Sequence, residues 1–74
     1  MAWLPRLSGR EVVKAFESLG WEQSRQSSSH IILVREGHQA TLSVPDRKEV
    51  AVGTLRSLIR SSGLTVETFL DAAR

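Results

Sequence analysis

The chain has 74 residues and a mass of 8.2 kDa, which suits one small domain over residues 1–74 and leaves no room for a second. Hydrophobic residues make up 41% and charged residues 24%, the composition of a folded, soluble protein whose core is too thin for a deep cofactor pocket. Ten Lys plus Arg against eight Asp plus Glu leave a net charge of +2, which allows an anionic partner, and the absence of cysteine excludes disulfide frameworks and thiolate metal sites.

Met1 to Arg6 has no targeting character, so a cytoplasmic location is expected. Ser8-Gly9-Arg10-Glu11 then reads as a capping box, in which the Ser8 hydroxyl meets the Glu11 N–H and the Glu11 carboxylate reaches back to Ser8. Val12, Val13, Phe16 and Leu19 recur at helical spacing, and Gly20 stops the helix, predicting it over about Gly9 to Leu19. Trp21 to Gln26 reads as a strand with Trp21, Gln23 and Arg25 on one face, and Trp21 is expected in the core.

Ser27-Ser28-Ser29 is a polar turn leading into a β-branched strand, His30 to Arg35. The apolar run Ile31 to Val34 within it is far too short to span a membrane, so no membrane partner is expected. Glu36-Gly37-His38 is the next turn, with His38 expected in solvent. Gln39 to Val44 alternates as a third strand that Pro45 stops. Short turns between the three strands predict an antiparallel meander.

Asp46 to Glu49 is a charged loop. A second helix is predicted from about Val52 to Ser62, with Leu55, Leu58 and Ile59 inward and Arg56 and Arg60 on the wet side. Gly63 closes it, and Thr65 caps a short last helix whose Val66, Phe69 and Leu70 pack inward. The order α-β-β-β-α plus a terminal helix is an α+β fold: a three-stranded antiparallel sheet with helices covering one face.

Side-chain alternation puts His30, Ile32 and Val34 on one face of the second strand and Ile31 and Leu33 on the other. Placing Ile31 and Leu33 under the helices leaves Ile32 and Val34 on the open face beside His30, a patch that a partner or a second copy is expected to cover.

Most enzyme signatures are absent: no phosphate-cradling glycine loop, no nucleophile elbow, no cysteine nucleophile. His30 and His38 lie on or beside different strands with no carboxylate at ligand spacing, so no metal site is expected. These features alone describe a small α+β domain without an assigned role.

The ordered set of motifs, however, resembles a family. Ser8-Gly9-Arg10-Glu11-Val12-Val13-Lys14-Ala15 with Leu19-Gly20-Trp21, Arg25-Gln26-Ser27-Ser28-Ser29-His30, Val44-Pro45-Asp46-Arg47-Lys48-Glu49-Val50, Gly53-Thr54-Leu55-Arg56-Ser57-Leu58-Ile59-Arg60 and Gly63-Leu64-Thr65 are together similar to HicA-type toxins. These are the small mRNA interferases of bacterial HicA–HicB toxin–antitoxin pairs. The resemblance runs from Leu7 to Leu70 and implies a double-stranded-RNA-binding-domain-like α-β-β-β-α fold. It also implies metal-independent, cofactor-free cleavage of single-stranded mRNA, with His30 as the single catalytic residue and a HicB-type antitoxin covering it. Ser28 stands where the family carries a glycine, a residue suited to positive φ or to close backbone approach by phosphate. Arg47 stands where a histidine is often found.

The chemistry suits these residue types. RNA brings its own nucleophile, the 2′-hydroxyl, so a histidine that titrates near neutrality has only to move protons. Arg25, Arg47, Lys48 and the backbone around Ser28 and Ser29 are the candidates to bind RNA and steady the phosphorane. The alternative is a non-catalytic RNA-binding module of the same fold, but the Lys-rich helix start of duplex-RNA binders is replaced by Ala51, Val52 and Gly53.

Overall fold

The first helix begins where its capping box places it. Ser8 is extended, its hydroxyl accepts from the Glu11 N–H (3.1 Å), and the Glu11 carboxylate accepts from the Ser8 N–H (2.8 Å). In the computed structural model, which describes residues 3–74, the elements are α1 (Gly9–Ser18), β1 (Glu22–Gln26), β2 (His30–Val34), β3 (Leu42–Pro45), α2 (Val52–Ser62) and α3 (Val66–Ala73). Met1 and Ala2, the start of the segment read for targeting character, lie outside the described residues.

α1 ends in a Schellman motif one residue short of the predicted Leu19. The Trp21 N–H reaches Phe16 O (3.0 Å) and the Gly20 N–H reaches Glu17 O (3.1 Å), with Gly20 at φ 101°. The reversal throws Trp21 back against Phe16, ring centroids 6.3 Å apart and edge on, so Trp21 is buried as expected but precedes the strand instead of opening it. Phe16 also meets Phe69 of α3 at 5.0 Å, joining both helices to one core. Thr65 caps α3 by accepting from the Thr68 N–H (3.1 Å).

The sheet is an antiparallel meander in the order β1-β2-β3. Within β2, Ile31 and Leu33 are fully buried while His30, Ile32 and Val34 are half-buried, so the inner and outer faces are the expected ones. Leu42 and Val44 of β3, paired with Leu33 and Ile31, complete the inner face beneath the helices. β3 differs from expectation: it runs over Leu42–Pro45, not Gln39 to Val44. Leu42 already stands opposite Leu33, and β2 ends at Val34 instead of Arg35, so residues 39–41 have almost no strand left to pair with. Pro45 is admitted as the last residue because β3 is an edge strand, where a missing N–H costs nothing.

His38 is the other correction. It is half-buried, not solvated: its ring sits edge on to Trp21 at 4.9 Å and its Nε2 lies 2.9 Å from Ser61 O near the end of α2. Gly37 (φ 81°) turns the Arg35–His38 segment so that the ring folds inward, and the His38 N–H closes that turn on Arg35 O (3.0 Å). The Trp21 surface is the apolar shelf it rests on. No helix among the described residues is long and apolar enough to cross a membrane.

Candidate active site

The β1–β2 hairpin ends in Ser27 to His30. The Ser27 N–H donates to His30 O (2.9 Å), and the His30 N–H is received by Ser27 Oγ (3.2 Å). The Ser27 side chain thus takes the place of a backbone acceptor in closing the turn. No non-glycine residue among those described has positive φ, so Ser28 takes its place in the turn without backbone strain. A positive φ was one reason for a glycine there, and that reason does not apply to this chain.

His30 is half-buried on the open face, with its Nδ1 2.9 Å from Ser29 Oγ. This contact leaves Nε2 with no hydrogen bond among the described residues. Ser29 was singled out for its backbone; in the structure its hydroxyl is also the hydrogen-bond partner of the His30 ring. A Nδ1–H donated to Ser29 leaves a lone pair on Nε2, the form a general base requires.

Arg25 reaches the same face by a β-bulge. Glu22 pairs with Val34 and Gln23 with Leu33, then the register slips so that Arg25, not Ser24, stands opposite Ile32. Opposed residues share a face, so Arg25 lies with Ile32 and His30 while Gln23 lies with Leu33 on the inner one. The common face predicted for Trp21, Gln23 and Arg25 is therefore wrong at Arg25, because strict alternation does not survive the extra residue.

Arg47 and Lys48 are exposed on the loop that leaves β3 directly after Pro45, the residue paired with His30. That loop is fastened at both ends: at its start the Asp46 N–H donates to Ser29 O (2.9 Å), the Arg47 N–H to Pro45 O (3.0 Å) and the Gly9 N–H to Arg47 O (2.8 Å), and at its far end the Val50 N–H donates to Leu7 O (2.7 Å). A side chain at Gly9 would collide with the Pro45 carbonyl, so α1 abuts the loop only because residue 9 is glycine.

Sequence reasoning missed the carboxylate between them. Asp46 accepts from Arg10 Nε and Nη2 (both 3.3 Å) and from Gln26 Nε2 (3.1 Å), linking α1, β1 and the loop beside the His30 turn. In the sequence these are one loop aspartate, one helix arginine and one strand glutamine, with no spacing to associate them. Arg10–Asp46 is the one ion pair among the described residues, so Arg25, Arg47 and Lys48 keep their charge free for an anion. No three His, Asp or Glu side chains among the described residues converge as metal ligands do.

The hairpin end thus gathers His30, Ser28, Ser29 and Arg25, and the loop opposite adds Arg47 and Lys48; Arg56 and Arg60 lie on α2, outside this group. A family model described as the HicA toxin of bacterial toxin–antitoxin matches residues 9–64, from the first residue of α1 to just past Gly63. No individual curated protein matches the chain significantly. The match covers well over half of the chain and includes the His30 turn, the Asp46 loop and the full α-β-β-β-α order, so this chain belongs to the HicA toxin family of bacterial toxin–antitoxin systems.

Proposed function

We propose that this toxin-family chain, acting as one domain over residues 1–74 in the cytoplasm, is a metal-independent endoribonuclease that cleaves single-stranded mRNA with His30. The observation that carries this reading is the His30 ring itself: Nδ1 is anchored to Ser29 at 2.9 Å and Nε2 is unengaged on the open face of the sheet. Nε2 takes the proton of a ribose 2′-hydroxyl, and the 2′-oxygen attacks the adjacent phosphorus as the P–O5′ bond breaks and the leaving 5′-oxygen takes a proton from water. The products are a 2′,3′-cyclic phosphate and a 5′-hydroxyl end. Arg25, on the face of His30, and Arg47 and Lys48, on the loop opposite, hold the phosphate and offset the charge of the phosphorane. Ser28 and Ser29 border the same end of the hairpin.

The partner is a HicB-type antitoxin that packs over His30, Ile32 and Val34. Those two apolar side chains stay half-buried on a face that no helix among the described residues covers, and covering them removes the catalytic nitrogen from RNA.

Incubating the purified protein with single-stranded RNA in the presence and absence of EDTA tests the reading. Cleavage that survives EDTA and leaves cyclic-phosphate ends is the expected result. Binding without cleavage would show a non-catalytic RNA-binding module instead.

A further inference from the structure

Asp46 sits where three elements meet and touches none of the residues assigned to RNA through its side chain. Its carboxylate takes two hydrogen bonds from Arg10 on α1 and one from Gln26, the last residue of β1. Its backbone N–H holds Ser29 O at 2.9 Å, and the hydroxyl of that same Ser29 holds His30 Nδ1 at 2.9 Å. One residue therefore secures both ends of the turn: Gln26 just before it and Ser29 just before His30.

The Ser27 to Ser29 segment needs such support. Its three residues are exposed, no glycine helps it turn, and its own closure rests on Ser27 and His30 alone. The remaining fastenings run through the Asp46 loop, and α1 fixes that loop through Arg10 and through the Gly9 N–H bond to Arg47 O. The Arg10–Asp46 pair is exposed, with side-chain exposures of 65% and 26%, so it adds little to global stability. What it supplies is position.

We propose, resting on the ribonuclease reading above, that the Arg10–Asp46–Gln26 clamp is a positioning device: it holds the Ser29–His30 pair in the orientation that aims Nε2 at the 2′-hydroxyl. Asp46 is then a positioning residue, not a catalytic one. Arg10 has a second duty, since it neutralises the Asp46 carboxylate beside the RNA path. Releasing Arg10 from Asp46 adds a free cation to that path, whereas removing Arg10 leaves a bare anion there. The two substitutions therefore push RNA affinity in opposite directions.

The test compares Asp46→Ala, Asp46→Asn and Arg10→Ala with the parent protein, on single-stranded RNA and by NMR of the His30 ring. Asp46→Ala is expected to lower kcat on the order of ten- to a hundredfold with KM unchanged or lower. Asp46→Asn, which keeps an acceptor for Gln26, recovers part of kcat. Arg10→Ala raises KM. In Asp46→Ala the His30 ring signals shift and broaden while the remaining amide spectrum stays folded. An unchanged kcat with unchanged ring signals overturns the clamp, and so does a loss of activity that only follows the unfolded fraction. Should the parent protein cleave no RNA, the ribonuclease reading fails, and the ring signals alone still decide whether Asp46 orients His30.

Discussion

Arg25 stands directly opposite Ile32 because Ser24 is an extra, unpaired residue in β1. Without that bulge Arg25 would oppose Ile31 and project to the inner side of the sheet, away from His30. The bulge therefore selects which strand charge joins the histidine. Arg25→Ala is expected to weaken binding of single-stranded RNA several-fold and to reduce the slope of log affinity against log salt by about 0.7. Fluorescence anisotropy across a salt series measures both. An unchanged slope would remove Arg25 from the RNA path.

Gly9 marks the closest approach of α1 to the Pro45–Arg47 loop. A methyl group there meets the Pro45 carbonyl, and neither backbone retreats easily, since the Gly9 N–H already binds Arg47 O. Gly9→Ala is expected to cost about 1–3 kcal/mol, outweighing the better helix propensity of alanine. Urea denaturation reads this as a lower midpoint at constant slope. A midpoint equal to or above the parent's would show that helix and loop are not in tight register.

The inward turn of His38 gives it a structural role that RNA chemistry does not share. His38→Ala loses the ring contact with Trp21 and the bond to Ser61 O, and is expected to cost about 1–2 kcal/mol. It should also red-shift Trp21 emission, measured in a Trp3→Phe background because Trp3 is highly exposed and emits on its own. RNA cleavage per folded molecule should not change. A loss of cleavage at full folding would move His38 into the active site.

The capping box makes α1 sensitive to acid. Hydrogen bonds from the Ser8 backbone N–H and hydroxyl hold the Glu11 carboxyl below the usual carboxylate range. A pKa lower in the folded than in the unfolded state contributes stability above the unfolded value, and that contribution fades as pH falls through the folded one. The stability advantage of the parent over Glu11→Gln should therefore be constant near neutrality and vanish in acid below the ordinary carboxylate range. Urea midpoints of both proteins from pH 7 to pH 3 test this. A gap that persists at the acid end would assign the stabilisation to something other than the charged carboxylate.

Local chemistry made the elements legible in the sequence. Ser8 and Glu11, Gly20, Gly63 and Thr65 mark helix ends through hydrogen bonds spanning a few residues, and each acts in the structure where its residue type predicts. Which residues of β2 share a face follows from strand geometry, but the uniformly apolar run Ile31 to Val34 does not mark which face is inward; only the packed structure puts Ile31 and Leu33 there. The Ser24 bulge was not legible, since one added residue leaves no mark in a polar edge strand. The inward turn of His38 and the Arg10–Asp46–Gln26 cluster escaped for another reason: their contacts span 17 to 36 positions along the chain and exist only after folding. The candidate site divides the same way. Its histidine and arginines stand in recognisable motifs, whereas Arg10, Gln26 and Asp46, which meet beside them, come from three separate elements.

The most direct test of the account is His30→Ala. The ring is half-buried and its one side-chain hydrogen bond is to Ser29, so its removal should leave the circular-dichroism spectrum and the thermal transition close to the parent's. With the fold retained, the account predicts that the variant neither cleaves single-stranded RNA nor arrests growth when expressed at the parent's level. Full cleavage and growth arrest by a well-expressed, folded His30→Ala protein would contradict it.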